Sequence, residues 1–282
     1  MTQEPAYFPF VRDMLMQRSG LVVTPEKVYL LETRLLPVAH RHGFNCVDSM
    51  ISELKSCHNE SLAVDVTEAM NTHESLFFRD DIPFKLFKDI LLPELLERRR
   101  AKKTIRIWCA ACSSGQEPYS LAMILNEEAH RLRGWKTEIV ATDISNAVLT
   151  RAAQGTFTQF EVQRGLPVKK LIQHFTQEEE SWQIKKNIRD MIQFRQFNLL
   201  DARYLFGKFD IIFCRNVLIY FDLATKSKVM TKISRCLEKD GVLFLGSSES
   251  TIGITQDFWP VKAGRGVYKH TDGCPSLAEK IE

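Results

Sequence analysis

The segment TIRIWCAACSSGQEPYS, Thr104 to Ser120, decides the fold. Thr104–Cys109 is a short apolar run rich in strand formers, and helical periodicity begins at Glu117 and runs to Arg133. Between them stands a turn of small residues, Ala110, Ala111, Ser113, Ser114 and Gly115, whose short side chains let a ligand approach the backbone. In an open α/β sheet a strand–turn–helix of this kind sits at the carboxyl edge, where ligands bind. Further along, Thr137–Thr142 reads as a second strand ending at Asp143, and Ser145–Ala153 as a helix. Phe209–Cys214 is a buried strand, followed by a helix around Leu223–Leu237 and strands at Gly241–Gly246 and Gly266–His270. Strands interleaved with helices predict a mostly parallel, doubly wound sheet.

Residues 155–197 break that rhythm. Trp182, Ile184, Ile188, Ile192 and Phe194 fall on even positions with polar interruptions, which predicts a small antiparallel insertion of two or three strands. Residues 1 to about 75 read instead as helices. Thr24-Pro25-Glu26 has the hydroxyl, proline and acid of a helix start, and Val28, Leu31, Leu35 and Val38 recur at core-facing spacing. Lys27 and Arg34 fall two turns apart on an edge beside that stripe, and Arg41 continues the series beyond Pro37, which is expected to bend the helix. The organisation expected is a helical domain over 1–75 and an α/β domain over 76–282 that carries a small β-subdomain at 155–197. From Thr271 on the chain is polar and expected to fray.

Composition excludes several classes. Of 282 residues 44% are hydrophobic and 26% charged, an ordinary globular balance. Thirty-eight basic against 35 acidic residues give a net charge of +3, which argues against a dedicated nucleic-acid binder. No apolar run approaches the roughly 20 residues of a membrane span, and the N-terminus lacks a signal-peptide pattern, so a cytoplasmic protein without membrane insertion is expected. Seven scattered cysteines fit reduced thiols. Cys109 and Cys112 form a lone C-x-x-C without a second pair, and no metal site is expected.

Asp143 stands 28 residues past Gly115, at the end of the second strand, where ribose hydroxyls are held in nucleoside-binding folds. The turn carries one glycine and is not G-x-G-x-x-G, so a pyrophosphate cradle is poorly supported. A nucleoside without phosphates fits better, and S-adenosylmethionine is the common one; an unliganded turn with a surface aspartate is the alternative.

Six segments carry a resemblance: NTHESLFFRD (71–80), WCAACSSGQEPYS (108–120), ATDIS (141–145), QFNLLD (196–201), FCRNVLIYF (213–221) and GVLFLGSSES (241–250). In order and spacing the chain resembles the chemotaxis receptor methyltransferases, the CheR family, over about residues 8–270. The resemblance implies an N-terminal helical domain, a Rossmann-like S-adenosylmethionine-binding domain and a β-subdomain. It also implies methyl transfer to receptor glutamates, with S-adenosylhomocysteine as product, and recruitment to receptor arrays.

Carried over by position, the resemblance puts Arg79 and Ser75 against the cofactor. His73 and Ser75 stand where members often have asparagine and threonine. Glu117 is implied near the methionine end, Asp143 at the ribose, and Asn198 and Leu199 beside the adenine. Arg215, Asn216 and Tyr220 complete the wall after the fourth strand. Arg79 and Tyr220 are the implied catalytic pair, orienting the acceptor. A glutamate acceptor, with an unperturbed pKa of ~4.3, is already anionic and needs no general base.

The implied partner is the cytoplasmic helical bundle of chemoreceptors, met by Lys27, Arg34 and Arg41; a solvated helix edge is the alternative for these three. Thr176–Trp182 lacks the longer glycine-containing loop of members that bind a C-terminal receptor pentapeptide, so no such tether is expected. A nucleic-acid methyltransferase and a non-catalytic S-adenosylmethionine-binding signalling module are the competing readings. Charge balance and the lack of an Asn/Asp-Pro-Pro-Tyr/Phe segment count against the first.

Overall fold

The computed structural model describes residues 4–202, 204, 206–261 and 264–271; the expected frayed tail beyond Thr271 lies outside them. The chain forms two compact units. One is the chain up to His73 together with Tyr220–Thr225; the other is Glu74–Ile219 and the chain from Lys226 onward.

In the first unit α1 (Phe8–Ser19), α2 (Val28–Arg41), α3 (Val47–Ser56) and α4 (Glu60–Met70) enclose their own core. Val28, Leu31, Leu35 and Val38 are buried there with Val11, Leu15, Ile51 and Val66, as a 3.6-residue period requires. The start of α2 differs from expectation. Pro25–Lys27 is a 3₁₀ turn, Thr24 makes no side-chain cap, and Pro37 sits inside α2 without ending it.

In the second unit α5 (Ile82–Leu86), a π-helical turn Phe87–Leu91 and α6 (Leu92–Arg98) lead into β1 (Thr104–Ala110). There follow α7 (Gln116–Glu127), β2 (Lys136–Asp143) and α8 (Asn146–Gln154). The insertion contributes β3 (Thr156–Thr158), α9 (Gln159–Gln163), α10 (Val168–His174), β4 (Phe175–Glu178), β5 (Ser181–Ile184) and α11 (Lys186–Arg189). Then come β6 (Ile192–Gln196), β7 (Phe209–Cys214), α12 (Leu223–Cys236), β8 (Leu237–Leu245), β9 (Phe258–Pro260) and β10 (Val267–His270).

The main sheet has the order β6-β2-β1-β7-β8-β10-β9, parallel through β8 and antiparallel at β10 and β9. From β1 the chain winds out to β2 and β6, then returns to lay β7 on the other side of β1. That reversal opens a crevice at the carboxyl ends of β1 and β7, the place where doubly wound sheets take ligands. Buried Ile105, Ile107, Cys109 and Phe213 share one core. Trp108 points to the opposite face and packs among Phe197, Tyr204, Phe206 and Phe209.

Two expectations are corrected. The helix after the turn ends at Glu127, short of Arg133. The antiparallel insertion is real, with order β3-β5-β4, but it does not extend to 197. Ile188 lies in α11, and Ile192 and Phe194 belong to β6, which pairs in parallel with β2 at the edge of the main sheet. A half-buried edge strand alternates just as an antiparallel strand does, so the period alone does not choose the sheet.

Candidate active site

Loops at the carboxyl edge hold the residues of interest. After β1, Ala111 and Ser113 take left-handed backbone angles, φ 58° and 52°, and Gly115 follows at 93°. The successive amides tie the turn to β2: Cys112 N–H donates to Thr142 O at 2.8 Å, and Ser113 N–H to Asp143 Oδ2 at 2.9 Å. Asp143 Oδ1 accepts from Ser145 N–H at 3.1 Å, so the buried carboxylate is fixed at the tip of β2 by amides on either side. Gly115 is required by close approach as well as angle, since a Cβ there would stand 3.1 Å from the Tyr119 ring and 3.2 Å from Ala152. Beside Asp143, Phe197 N–H donates to Asp143 O at 2.9 Å. This brings Asn198 and buried Leu199 to the same corner; Asn198 Oδ1 accepts from Leu200 N–H at 2.9 Å and caps that turn.

The second loop carries Ser75 and Arg79. Phe78, Asp80 and Asp81 have φ of 50°, 67° and 50°, uncommon for residues other than glycine and an outlier for phenylalanine. Such angles cost about 1–3 kcal/mol each and persist only where the surroundings enforce them. Here Phe77 is fully buried edge-on to Phe157 and Phe175, with centroids at 4.9 and 5.7 Å, and Phe78 N–H donates to Ser120 Oγ of α7 at 3.0 Å. Arg79 is half-buried, and among the described residues its guanidinium makes only a long contact, 3.4 Å, to Glu74 O.

Arg215, the first residue after β7, knots this loop to α7. Its Nη1 donates to Glu117 Oε2 at 3.0 Å, and its Nη2 to Asp80 Oδ2 at 2.6 Å and to Arg79 O at 2.8 Å. Both Arg215 and Glu117 are buried; burial pushes the Glu117 carboxyl above its ordinary range, against the pull of Arg215. Arg215 Nε is buried without a hydrogen-bond partner among the described residues. Asn216 follows at φ 58°, its N–H donating to Glu249 Oε2 at 2.8 Å.

The structure thus gathers Ser75, Arg79, Glu117, Asp143, Asn198, Leu199, Arg215 and Asn216 on the loops of one unit. His73 and Tyr220 belong to the helical unit, where Tyr220 O accepts from Val22 N–H at 2.9 Å. Of the three basic residues singled out, Lys27 and Arg41 are exposed. Arg34 is half-buried and donates to Met70 O at 2.7 Å and Asn71 O at 3.4 Å, satisfying carbonyls at the end of α4. Asp80, Ser120 and Glu249, which hold the loops, were not anticipated.

The family model described as "CheR methyltransferase, SAM binding domain" matches residues 73–267. The chain is 36% identical over 264 residues to the chemotaxis protein methyltransferase Cher2 of Pseudomonas putida, covering 92% of this chain and 96% of that one. It is 37% identical to chemotaxis protein methyltransferase 1 of Pseudomonas aeruginosa, covering 95% and 98% of the two chains. Against chemotaxis protein methyltransferase 1 of Vibrio cholerae it is 38% identical, covering 93% and 94%. This chain belongs to the CheR methyltransferase family.

A CheR methyltransferase takes S-adenosylmethionine, and the donor set fits that molecule. The cationic sulfonium and α-amino groups suit the buried carboxylate of Glu117, and the ribose hydroxyls, as donors, suit that of Asp143. The orphaned Arg215 Nε is a donor suited to an anionic or carbonyl oxygen. No helix among the described residues is long and apolar enough to cross a membrane.

Proposed function

We propose that this methyltransferase esterifies glutamate side chains on the cytoplasmic helical bundle of chemotaxis receptors. The observation that carries the reading is the Arg215 knot, which fixes the Arg79 loop against Glu117 at the edge that bears Asp143. The names of the relatives, chemotaxis protein methyltransferases, support the receptor as substrate.

When bound, S-adenosylmethionine supplies a methyl group already activated by its sulfonium centre. Asp143 accepts from the ribose hydroxyls, Glu117 faces the methionine end, and Asn198 and Leu199 border the adenine. Ser75, Arg79, Arg215 and Asn216 line the remaining wall. An acceptor carboxylate is anionic at neutral pH, so the protein has no proton to remove and its work is alignment and exclusion of water. Arg79 orients that carboxylate. A tight Arg79–carboxylate pair would hold the ground state and slow transfer, so the single long contact of Arg79 suits a positioning role.

Exposed Lys27 and Arg41 steer the acidic receptor bundle, and Arg34 adds the stiffness of the α2–α4 packing behind them. The β4–β5 hairpin closes over Glu179 and Glu180 alone, leaving no long loop for a receptor pentapeptide; the enzyme works in the cytoplasm, recruited to arrays by the bundle itself. The test is purified protein with methyl-labelled S-adenosylmethionine and receptor-bearing membranes, scored for alkali-labile methanol. Label that resists alkali, or that goes to nucleic acid, sinks the reading. Methylation rates that stay flat as salt rises remove the steering role, and micromolar binding of a receptor C-terminal pentapeptide overturns the tether-free docking.

A further inference from the structure

Glu249 lies on the turn after β8 and is buried, 8% exposed. Main-chain N–H groups surround its carboxylate, and no side-chain cation among the described residues pairs with it. Oε2 accepts from Asn216 N–H at 2.8 Å and Gly246 N–H at 2.7 Å; Oε1 accepts from Val217 N–H at 3.0 Å and Ile219 N–H at 3.3 Å. One side chain therefore satisfies amides from the turns that follow two neighbouring strands, β7 and β8. The fit leaves no slack: a Cβ on Gly246 would stand 2.7 Å from Asn216 Nδ2 and 2.8 Å from Glu249 Oε2. It also enforces a conformation the chain would otherwise avoid, since Asn216 holds φ 58°.

We propose that Glu249 is a positioning residue for methyl transfer, its carboxylate holding the Asn216–Ile219 turn so that Asn216 is presented to the cofactor. The inference rests on the assignment of Asn216 to the cofactor wall made above. Only a carboxylate meets the demand, because four donors converge on two oxygens that carry no hydrogen. A glutamine of the same shape would turn its NH₂ against two of those N–H groups, leaving buried donors unsatisfied. Aspartate is one methylene too short to reach both turns.

The experiment compares Glu249→Gln, Asn216→Ala and the double variant by calorimetric titration with S-adenosylhomocysteine, beside thermal melts and the KM and kcat for S-adenosylmethionine. Glu249→Gln is expected to weaken S-adenosylhomocysteine by about tenfold or more, the scale of one lost buried acceptor. KM should rise more than kcat falls, and the double variant should bind no worse than the weaker single one. Wild-type affinity in Glu249→Gln beside a loss in Asn216→Ala overturns the proposal and leaves the cofactor assignment standing; so do losses that multiply in the double variant. An Asn216→Ala that binds normally faults the cofactor assignment itself and takes the proposal with it. Should Glu249→Gln fail to fold, Gly246→Ala applies the same displacement by bulk while keeping the charge. It is expected to weaken binding similarly, and unchanged affinity there overturns the proposal.

Discussion

The two ends of the same sheet are held by arginines in opposite styles. At the amino end Arg99 donates from Nε to Asp210 at 2.7 Å and from both Nη atoms to Asp240 at 2.8 and 2.6 Å. Asp210 also accepts from Arg106 N–H, and Arg106 reaches Glu138 and the carbonyls of Phe206 and Lys208. Among the described non-glycine residues there, Lys103, just before β1, alone holds a positive φ. At the carboxyl end Arg215 has an orphaned Nε, and Phe78, Asp80, Asp81, Ala111, Ser113 and Asn216 all hold positive φ. A saturated network with relaxed backbone serves stability; an incomplete one, built on backbone kept in costly angles, is what a ligand can finish.

The largest test of that division sets Arg215→Met against Arg99→Met. Removing Arg215 strands Glu117 in a buried site, so a loss of about 3–5 kcal/mol is expected, together with a loss of S-adenosylhomocysteine affinity. Arg99→Met is expected to cost less, because Asp240 is 40% exposed and screened by water while buried Asp210 keeps the Arg106 N–H, and to leave that affinity unchanged. Denaturant unfolding and calorimetry on both variants decide; equal damage to binding from Arg99→Met would erase the distinction between the ends.

Next in size come Arg79→Ala and Asp143→Asn, which separate two roles within the carboxyl end. Arg79→Ala is expected to reduce methyl transfer about 100-fold or more with little change in melting temperature, since its guanidinium makes one long contact. Asp143→Asn keeps the shape but turns an NH₂ toward Ser113 or Ser145 N–H, and should weaken S-adenosylhomocysteine about 10- to 100-fold. Undiminished affinity in a titration of Asp143→Asn removes the ribose assignment.

What the chain discloses about itself follows the range of its interactions. The α2 stripe and the β7 run are legible because period and burial are local properties of sequence. Asp143 is legible because an acid directly after a strand has a fixed place in the fold. Arg215 could be read as part of the wall but not as a strut, for its partners lie 98 and 135 residues away. Glu249 had no signal beyond being an acid in a small-residue turn, GSSES, since three of its four donors belong to another turn. Arg34 sits on the same helix edge as Lys27, yet spacing cannot say that the end of α4 supplies its carbonyls. The placement of β6 failed for the same cause: alternation fixes a face, whereas the partner strand is a tertiary fact.

Acid gives a smaller, sign-dependent test by setting the insertion beside the Arg215 knot. His174 of α10 is buried and bonded to Glu127, which also takes Lys170 at 2.6 Å, with Lys88 at 3.9 Å. Burial lowers the His174 pKa below its ordinary 6.5 against the pull of Glu127. Burial alone would raise the Glu127 carboxyl, but the Lys170 and His174 bonds bring it below its ordinary value. Both groups bind fewer protons folded than unfolded, so their contribution is complete above about 6.5 and is lost as pH falls. Glu117 has the opposite sign: its raised pKa makes the folded state hold a proton longer, so its contribution shrinks as pH rises past 4.5. Trp182 fluorescence should therefore report loosening of the insertion as pH falls below about 6.5, and His174→Gln should flatten that limb. An unchanged limb in His174→Gln would clear the histidine of any part in it.

The smallest effects bear most directly on whether strain marks function. Lys103 and Ser113 hold similar angles, φ 47° and 52°, at opposite ends of β1. Glycine at either position removes a left-handed penalty of about 1–2 kcal/mol, offset by about 0.5–1 kcal/mol of added chain entropy in the unfolded state. A net gain of roughly 0.5–1 kcal/mol is expected for Lys103→Gly, with S-adenosylhomocysteine affinity untouched. Ser113→Gly should gain a similar amount yet bind more weakly, because a freer backbone no longer presents its N–H to Asp143 in a fixed direction. If the two glycine variants gain stability alike and bind alike, the strained angles at the carboxyl edge are incidental to the site, and only the unfinished arginine still separates the two ends.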